Sequence, residues 1–186
     1  MQSYHEFLSE VLIPEEELKV RVKELGEIIS RDYQEQDLHL VCILRGGVLF
    51  LTDLMRSISV PHSIDFMAIS SYGSGVREAS GHIRLTMDLR DDIQGRNVLL
   101  VEDIVDSGHT LSSVLGILAT RKPASLKVCT LLDKAERRET EVPLHYVGFV
   151  IPNKYVFGYG LDLDEFYREL PFIGVVNEDK YTPPDH

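Results

Sequence analysis

The feature that most narrowly limits what this chain can fold into is the alternation of short apolar runs with helical stripes. Apolar residues dominate Leu40 to Leu44, Ile64 to Ile69, Val98 to Val101, Leu126 to Leu132 and Tyr146 to Ile151. Helical patterns separate several of these runs, at Val48 to Ile58 and at Thr110 to Ala119, where Leu111, Leu115 and Leu118 share one side. A continuously apolar strand must be covered on both faces, and helices between successive strands supply that cover. The pattern predicts an α/β fold with a largely parallel central sheet flanked by helices. Upstream, Pro14 followed by Glu15, Glu16 and Glu17 predicts a helix start, since proline presets the first turn and acids favour its positive end. Leu18, Val22, Leu25 and Ile29 then recur at helical spacing as a core-facing stripe.

At 186 residues the chain is long enough to bury one core without disulfide or metal staples, and no repeat or linker composition divides it. The first ten residues contain no apolar stretch of signal-peptide length, and later apolar runs are broken by charge or glycine, so a cytoplasmic protein that does not span a membrane is expected. A net charge of −11 argues against nucleic acid or anionic membrane as partners, because both require a basic surface. An anionic substrate would need a local basic site. The two cysteines, Cys42 and Cys129, lie inside apolar runs and read as buried, inert thiols. The seven histidines form no zinc pattern and read as surface or capping residues. The tail from Thr182 to His186 is expected to fray.

The chemistry concentrates between Val98 and Thr110. An apolar strand is expected to end at the adjacent carboxylates Glu102 and Asp103, and Asp106 then opens a Ser107-Gly108-His109-Thr110 turn into a helix. Ligands of parallel sheets collect at the carboxyl ends of strands, and a helix start with free amides and hydroxyl side chains suits phosphate. Carboxylates beside such a cradle point to a metal or to a ribose diol. Taken singly, Asp106 and Thr110 could be caps and the acidic pair a solvated strand end. The whole string, however, resembles the phosphoribosyl-pyrophosphate signature of type I phosphoribosyltransferases.

Further stretches resemble the family in order. Leu44-Arg45-Gly46-Gly47 is similar to its pyrophosphate loop, Ser71-Tyr72-Gly73 to the opening of its lid, and Lys134 to a lysine that braces the site. The stretch Val147 to Asp162, containing Lys154, Tyr155 and Val156, resembles the purine segment of the hypoxanthine-guanine branch, and Arg168 an arginine on its pyrophosphate side. Arg45 stands where some relatives carry lysine, and His109 occupies a variable position.

The resemblance implies a single domain over 1–186, with a mobile lid at about 70–89 and a small hood formed by the N-terminal residues and about 150–186. It implies transfer of a phosphoribosyl group from phosphoribosyl pyrophosphate to hypoxanthine or guanine, with Mg2+ as cofactor and assembly as a homodimer or homotetramer. Ser107, Gly108, His109 and Thr110 would take the 5′-phosphate. Glu102 and Asp103 would take the ribose diol and a magnesium, with Asp162 on a second magnesium, while Arg45, Gly46, Gly47 and Arg168 would take pyrophosphate with the lid residues Ser71 and Tyr72. Asp106 would accept the purine proton, and Lys154, Tyr155 and Val156 would hold the base. Two rival classes are weaker. A regulatory nucleic-acid-binding relative disagrees with the acidic charge, and a phospho-accepting receiver domain would show an acidic pair where Arg45-Gly46-Gly47 stands.

Overall fold

The computed structural model describes residues 2–71 and 83–184, with the side chains of Ser71 and Ile83 left undescribed. Its main sheet has six strands in the order β4-β3-β2-β5-β6-β7. These are β2 (Leu38–Leu44), β3 (His62–Ser71), β4 (Ile83–Met87), β5 (Asn97–Val105), β6 (Ser125–Asp133) and β7 (Tyr146–Val150). All neighbours run parallel except β3 and β4. Alternate residues of the central strands serve opposite faces. Leu40, Cys42, Leu99 and Val101 pack against α2 (Glu15–Asp32) and α3 (Val48–Ser57), through Leu18, Val22, Leu25, Ile29, Phe50 and Leu54. Val41, Ile43, Val98 and Leu100 pack against Leu111, Val114 and Leu118 of α4 (His109–Ala119). This period of two, with helices on both sides, is why the strands are apolar throughout.

Four sequence expectations shift. β5 continues through Glu102 and Asp103 to Val105, because β6 keeps pairing with it as far as Val105 opposite Asp133. The acidic pair therefore sits within a strand, not at its end. Second, His39 is fully buried and is not a surface residue. Third, the tail is tied down at its start, where the Thr182 amide donates to Gln2 Oε1 at 3.1 Å. Fourth, the described ends of the expected lid are strand, with Ser71 opposite Ile83 and Ala68 opposite Met87. Tyr72 and Gly73 lie outside the described residues. Both cysteines are buried, and burial pushes both thiols up.

A smaller antiparallel sheet, β1-β9-β8, joins β1 (Leu8–Ile13) to β9 (Ile173–Val176) and β8 (Val156–Phe157). Beneath it Phe7, Phe157 and Tyr167 form a cluster with ring centroids 5.3 to 6.1 Å apart. Leu163, Leu170 and Val176 complete it. Among the described residues no helix is long and apolar enough to cross a membrane.

Candidate active site

From the adjacent strands β2 and β5 the chain crosses over in opposite directions, to β3 and to β6 respectively. The loops that follow them therefore diverge and leave a crevice at the carboxyl ends, the usual place for a ligand in a parallel sheet. Arg45, Gly46 and Gly47 border it from one side, and Asp106 to Thr110 from the other. The absence of side chains at the glycines has a steric cause. A Cβ on Gly46 would meet Asp103 Oδ2 at 1.6 Å, and one on Gly47 would meet Cys42 Sγ at 2.9 Å. A Cβ on Gly160, at φ +99°, would meet the Gly46 carbonyl oxygen at 2.1 Å, so this glycine lets the 158–168 loop seat on this one.

Both carboxyl groups of the acidic pair are perturbed by burial. Burial, with the neighbouring Asp103 charge, pushes the Glu102 carboxyl well above the usual range, and its Oε2 is buried without a hydrogen-bond partner among the described residues. Burial likewise pushes Asp103 up to about 6, against the opposing effects of backbone hydrogen bonds and Arg168. The Ile104 amide donates to Asp103 Oδ1 at 2.8 Å.

The turn into α4 places Gly108, at φ +89°, as the residue before the helix. A Cβ there would meet the Thr140 carbonyl at 2.3 Å. The first amides of a helix have no acceptor within it, so this turn offers donors to an anion. Glu102, Asp103, Asp106, Ser107, Gly108 and Thr110 border a small cavity of about 140 Å³. Residues 137–140, which the motif reading missed, grip the turn from outside. The Glu139 and Thr140 amides donate to the Ser107 carbonyl at 2.9 and 3.0 Å, and Arg138 Nη1 donates to the Asp106 carbonyl at 2.7 Å. His109 faces this segment, with Nε2 2.8 Å from Glu139 Oε2 and Nδ1 2.9 Å from Thr140 Oγ1. The Arg137-Arg138 pair three residues after Lys134 was the only available signal.

Asp106 also borders a second, larger cleft of about 440 Å³, with Lys134, Arg137, Asn153, Lys154, Tyr155 and Glu178. Lys134 is 7% exposed and holds its ammonium 3.7 Å from Asp106 Oδ2. Arg137 Nε lies 3.0 Å from Oδ1, at ion-pair distance but off the hydrogen-bond line. Lys154 pairs with Glu10 of β1. Tyr155 is partly exposed, whereas the Val156 side chain is buried in β8. Asn153 lies in the purine stretch but was given no role there, while Glu10 and Glu178 carried no sequence signal, since neither belongs to a motif.

On the far side, Arg168 donates to the Gly160 carbonyl at 2.9 Å and meets Asp162 Oδ1 at 3.0 Å. The other Asp162 oxygen accepts the Glu165 amide at 2.9 Å. Asp162 thus braces its own turn, a use the motif reading did not foresee. The Arg45 guanidinium meets Glu165, not open crevice, at 2.8 Å.

Comparison with known proteins agrees with this geometry. The description "Phosphoribosyl transferase domain" matches residues 13–165. The chain is 50% identical over 169 residues to a hypoxanthine phosphoribosyltransferase of Escherichia coli, covering 90% of this chain and 94% of that one. It is 50% identical over 180 residues to a hypoxanthine-guanine phosphoribosyltransferase of Mycobacterium tuberculosis, covering 94% and 89%. A crystal structure of a Staphylococcus aureus hypoxanthine phosphoribosyltransferase superposes with a TM-score of 0.92 at 43% identity, covering 98% of this chain and 99% of that one. With the family matched across the strands and loops that build the crevice, the chain belongs to the phosphoribosyltransferase family.

Proposed function

We propose that this chain is a purine-salvage transferase that moves the 5-phosphoribosyl group of phosphoribosyl pyrophosphate to N9 of hypoxanthine or guanine, giving IMP or GMP and pyrophosphate. The observation that carries this reading is that Asp106 borders both cavities, the small one at the start of α4 and the larger one beside Lys154 and Tyr155. A 5′-phosphate on the Ser107 to Thr110 turn would leave the sugar beside Glu102 and Asp103 and turn its anomeric carbon towards the larger cleft. There the bond from C1′ to the pyrophosphate oxygen breaks, the bond from C1′ to N9 forms, and the N7 proton of the base passes to Asp106. Lys134 and Arg137 hold that carboxylate in position.

The donor set suits magnesium. Glu102 has a buried oxygen without a partner among the described residues, and beside it Asp103 is costly to ionise when no cation is near. Magnesium is commonly held by one or two carboxylates together with substrate phosphates, which matches an adjacent acidic pair facing a phosphate cradle. Glu102 and Asp103 would hold it, and Asp162 would contribute only lone pairs that its turn leaves over. When bound, the metal supplies positive charge to the leaving pyrophosphate. Arg45, the Gly46 and Gly47 backbone and Arg168 act on the same leaving group. Lys154 keeps donors beyond its bond to Glu10, so it can meet the carbonyl at position 6 of an oxopurine and cannot accept from the amino group of adenine. Tyr155 offers a ring for the base to stack on.

The test is initial-rate measurement with phosphoribosyl pyrophosphate, magnesium and each of hypoxanthine, guanine, xanthine and adenine. Hypoxanthine or guanine should release pyrophosphate, with adenine slower by roughly ten-thousandfold, the discrimination that a site built on one polar contact can reach. Release with no oxopurine would overturn the proposal.

A further inference from the structure

The Arg45 side chain is held by a carboxylate of the same chain. Its guanidinium grips Glu165 with both forks, Nη1 to Oε2 at 2.8 Å and Nη2 to Oε1 at 2.9 Å. Arg168 Nη2 reaches the same Oε2 at 3.3 Å while holding Asp162 Oδ1 at 3.0 Å. Two guanidinium groups and two carboxylates thus balance one another where the reading above expects pyrophosphate. A planar fork facing two oxygens is also how arginine binds phosphate, so the carboxylate occupies the geometry the leaving group would use.

Glu165 is not a loose surface acid that happens to lie near. Asp164, Glu165 and Tyr167 all have positive φ, at 50°, 75° and 67°. This unusual turn is pinned at several points. The Glu165 amide is bound to Asp162 Oδ2, Leu163 and Phe166 exchange backbone hydrogen bonds of 3.0 and 3.1 Å, and Leu163 and Tyr167 are buried in the cluster beneath the small sheet. The fold therefore directs Glu165 at an arginine 120 positions earlier in the chain. At the same time the pair is open to water, with the side chains 68% and 54% exposed. Exposed ion pairs are weak and exchangeable, so a multiply charged anion can displace this one.

We propose that Glu165 is a built-in counter-anion for the pyrophosphate side of the site. It holds Arg45 and Arg168 when no ligand is bound, and it must release them before pyrophosphate or the pyrophosphoryl end of the substrate can bind. This rests on the phosphoribosyl-transfer reading above. Glu165 is accordingly a positioning residue that weakens the hold on pyrophosphate and so favours its departure.

Calorimetric titration of inorganic pyrophosphate with magnesium into the full chain tests this, using wild type, Glu165→Gln, Arg45→Gln and the double variant. Glu165→Gln should tighten pyrophosphate binding by roughly three- to tenfold at low salt, shrinking as salt screens the exposed groups. In the Arg45→Gln background the gain should fall below about twofold, because the displaced pair no longer exists. A second variant, Glu165→Asp, keeps the charge on a shorter stem and should give a smaller gain, which guards against a folding effect of the amide. Unchanged or weaker binding in Glu165→Gln, or the same gain with Arg45 already replaced, overturns the counter-anion role. Absence of any pyrophosphate binding by wild type, with no oxopurine-dependent pyrophosphate release, instead overturns the transfer reading and this proposal with it.

Discussion

Asp106 is the residue on which both cavities converge, and its isosteric amide separates its roles. Asp106→Asn keeps the shape and the neighbours Lys134 and Arg137 but cannot take a proton. Turnover should fall roughly a hundred- to ten-thousandfold with substrate affinities little changed, measured by steady-state rates beside calorimetry. Near-normal turnover of the folded variant would remove the general-base role. Gly46 makes the opposite point, that a residue without a side chain can be specified by its neighbour. Its missing Cβ is the space that Asp103 Oδ2 occupies, so Gly46→Ala must push that carboxylate or the loop aside. Thermal or chemical unfolding should report a loss of roughly 1–3 kcal/mol, together with weaker phosphoribosyl pyrophosphate binding. A variant as stable and as tight-binding as wild type would show that the loop yields freely. The sequence marked Gly46 only as part of a stretch resembling a pyrophosphate loop, because the carboxylate it makes room for lies far along the chain in β5.

At the scale of elements, the carboxyl ends of the strands carry the chemistry while the amino ends carry a clasp. His39 at the start of β2 has Nδ1 2.8 Å from Ser63 Oγ of β3 and 3.1 Å from Arg96 Nη1, just before β5. Arg96 also binds Asp37 and Ser63 Oγ. Burial first, then the Arg96 charge, hold the His39 imidazole below its ordinary value of 6.5, against weaker opposing effects of Asp65, Asp91 and Asp37. The unfolded chain therefore takes up a proton at a pH where the folded protein does not. The stability this residue contributes is complete above about 6.5 and declines as pH falls from there towards the depressed folded value. Denaturant unfolding at pH 7.5 and pH 5.5 should show wild type losing more stability than His39→Gln, whose amide does not titrate. A difference between the two proteins that is the same at both pH values would contradict this. Element positions themselves were largely legible, as α3 and α4 begin and end within a residue or so of the apolar patterns. The continuation of β5 through Glu102 and Asp103 was not, because charged residues inside a strand look like its end until the pairing with β6 is known.

At the scale of the whole molecule, the two terminal segments are brought together in the small sheet β1-β9-β8. Phe7 is fully buried against Phe157, Tyr167 and Tyr181, with ring centroids 5.0 to 5.4 Å away, and the Asn177 amide donates to its carbonyl at 2.7 Å. Phe7→Ala should cost about 3–5 kcal/mol and loosen the sheet that carries Glu10 opposite Lys154. Hydrogen exchange should accordingly rise first in residues 8–13 and 173–176, and uniform exchange throughout the chain would mean that the small sheet does not open separately. The sequence by itself determined the α/β alternation, the parallel strands and the helices of the main sheet though not β4, the burial of the cysteines and the family, since apolar period and contiguous motifs are local properties that each segment displays alone. Only the tertiary structure decided that Lys154 meets Glu10 across 144 positions, that Glu165 meets Arg45 across 120, and that His39 is buried under Arg96. Such contacts follow from how the sheet order and the two chain ends close in space, and a pairing between distant residues leaves no periodic trace in either one.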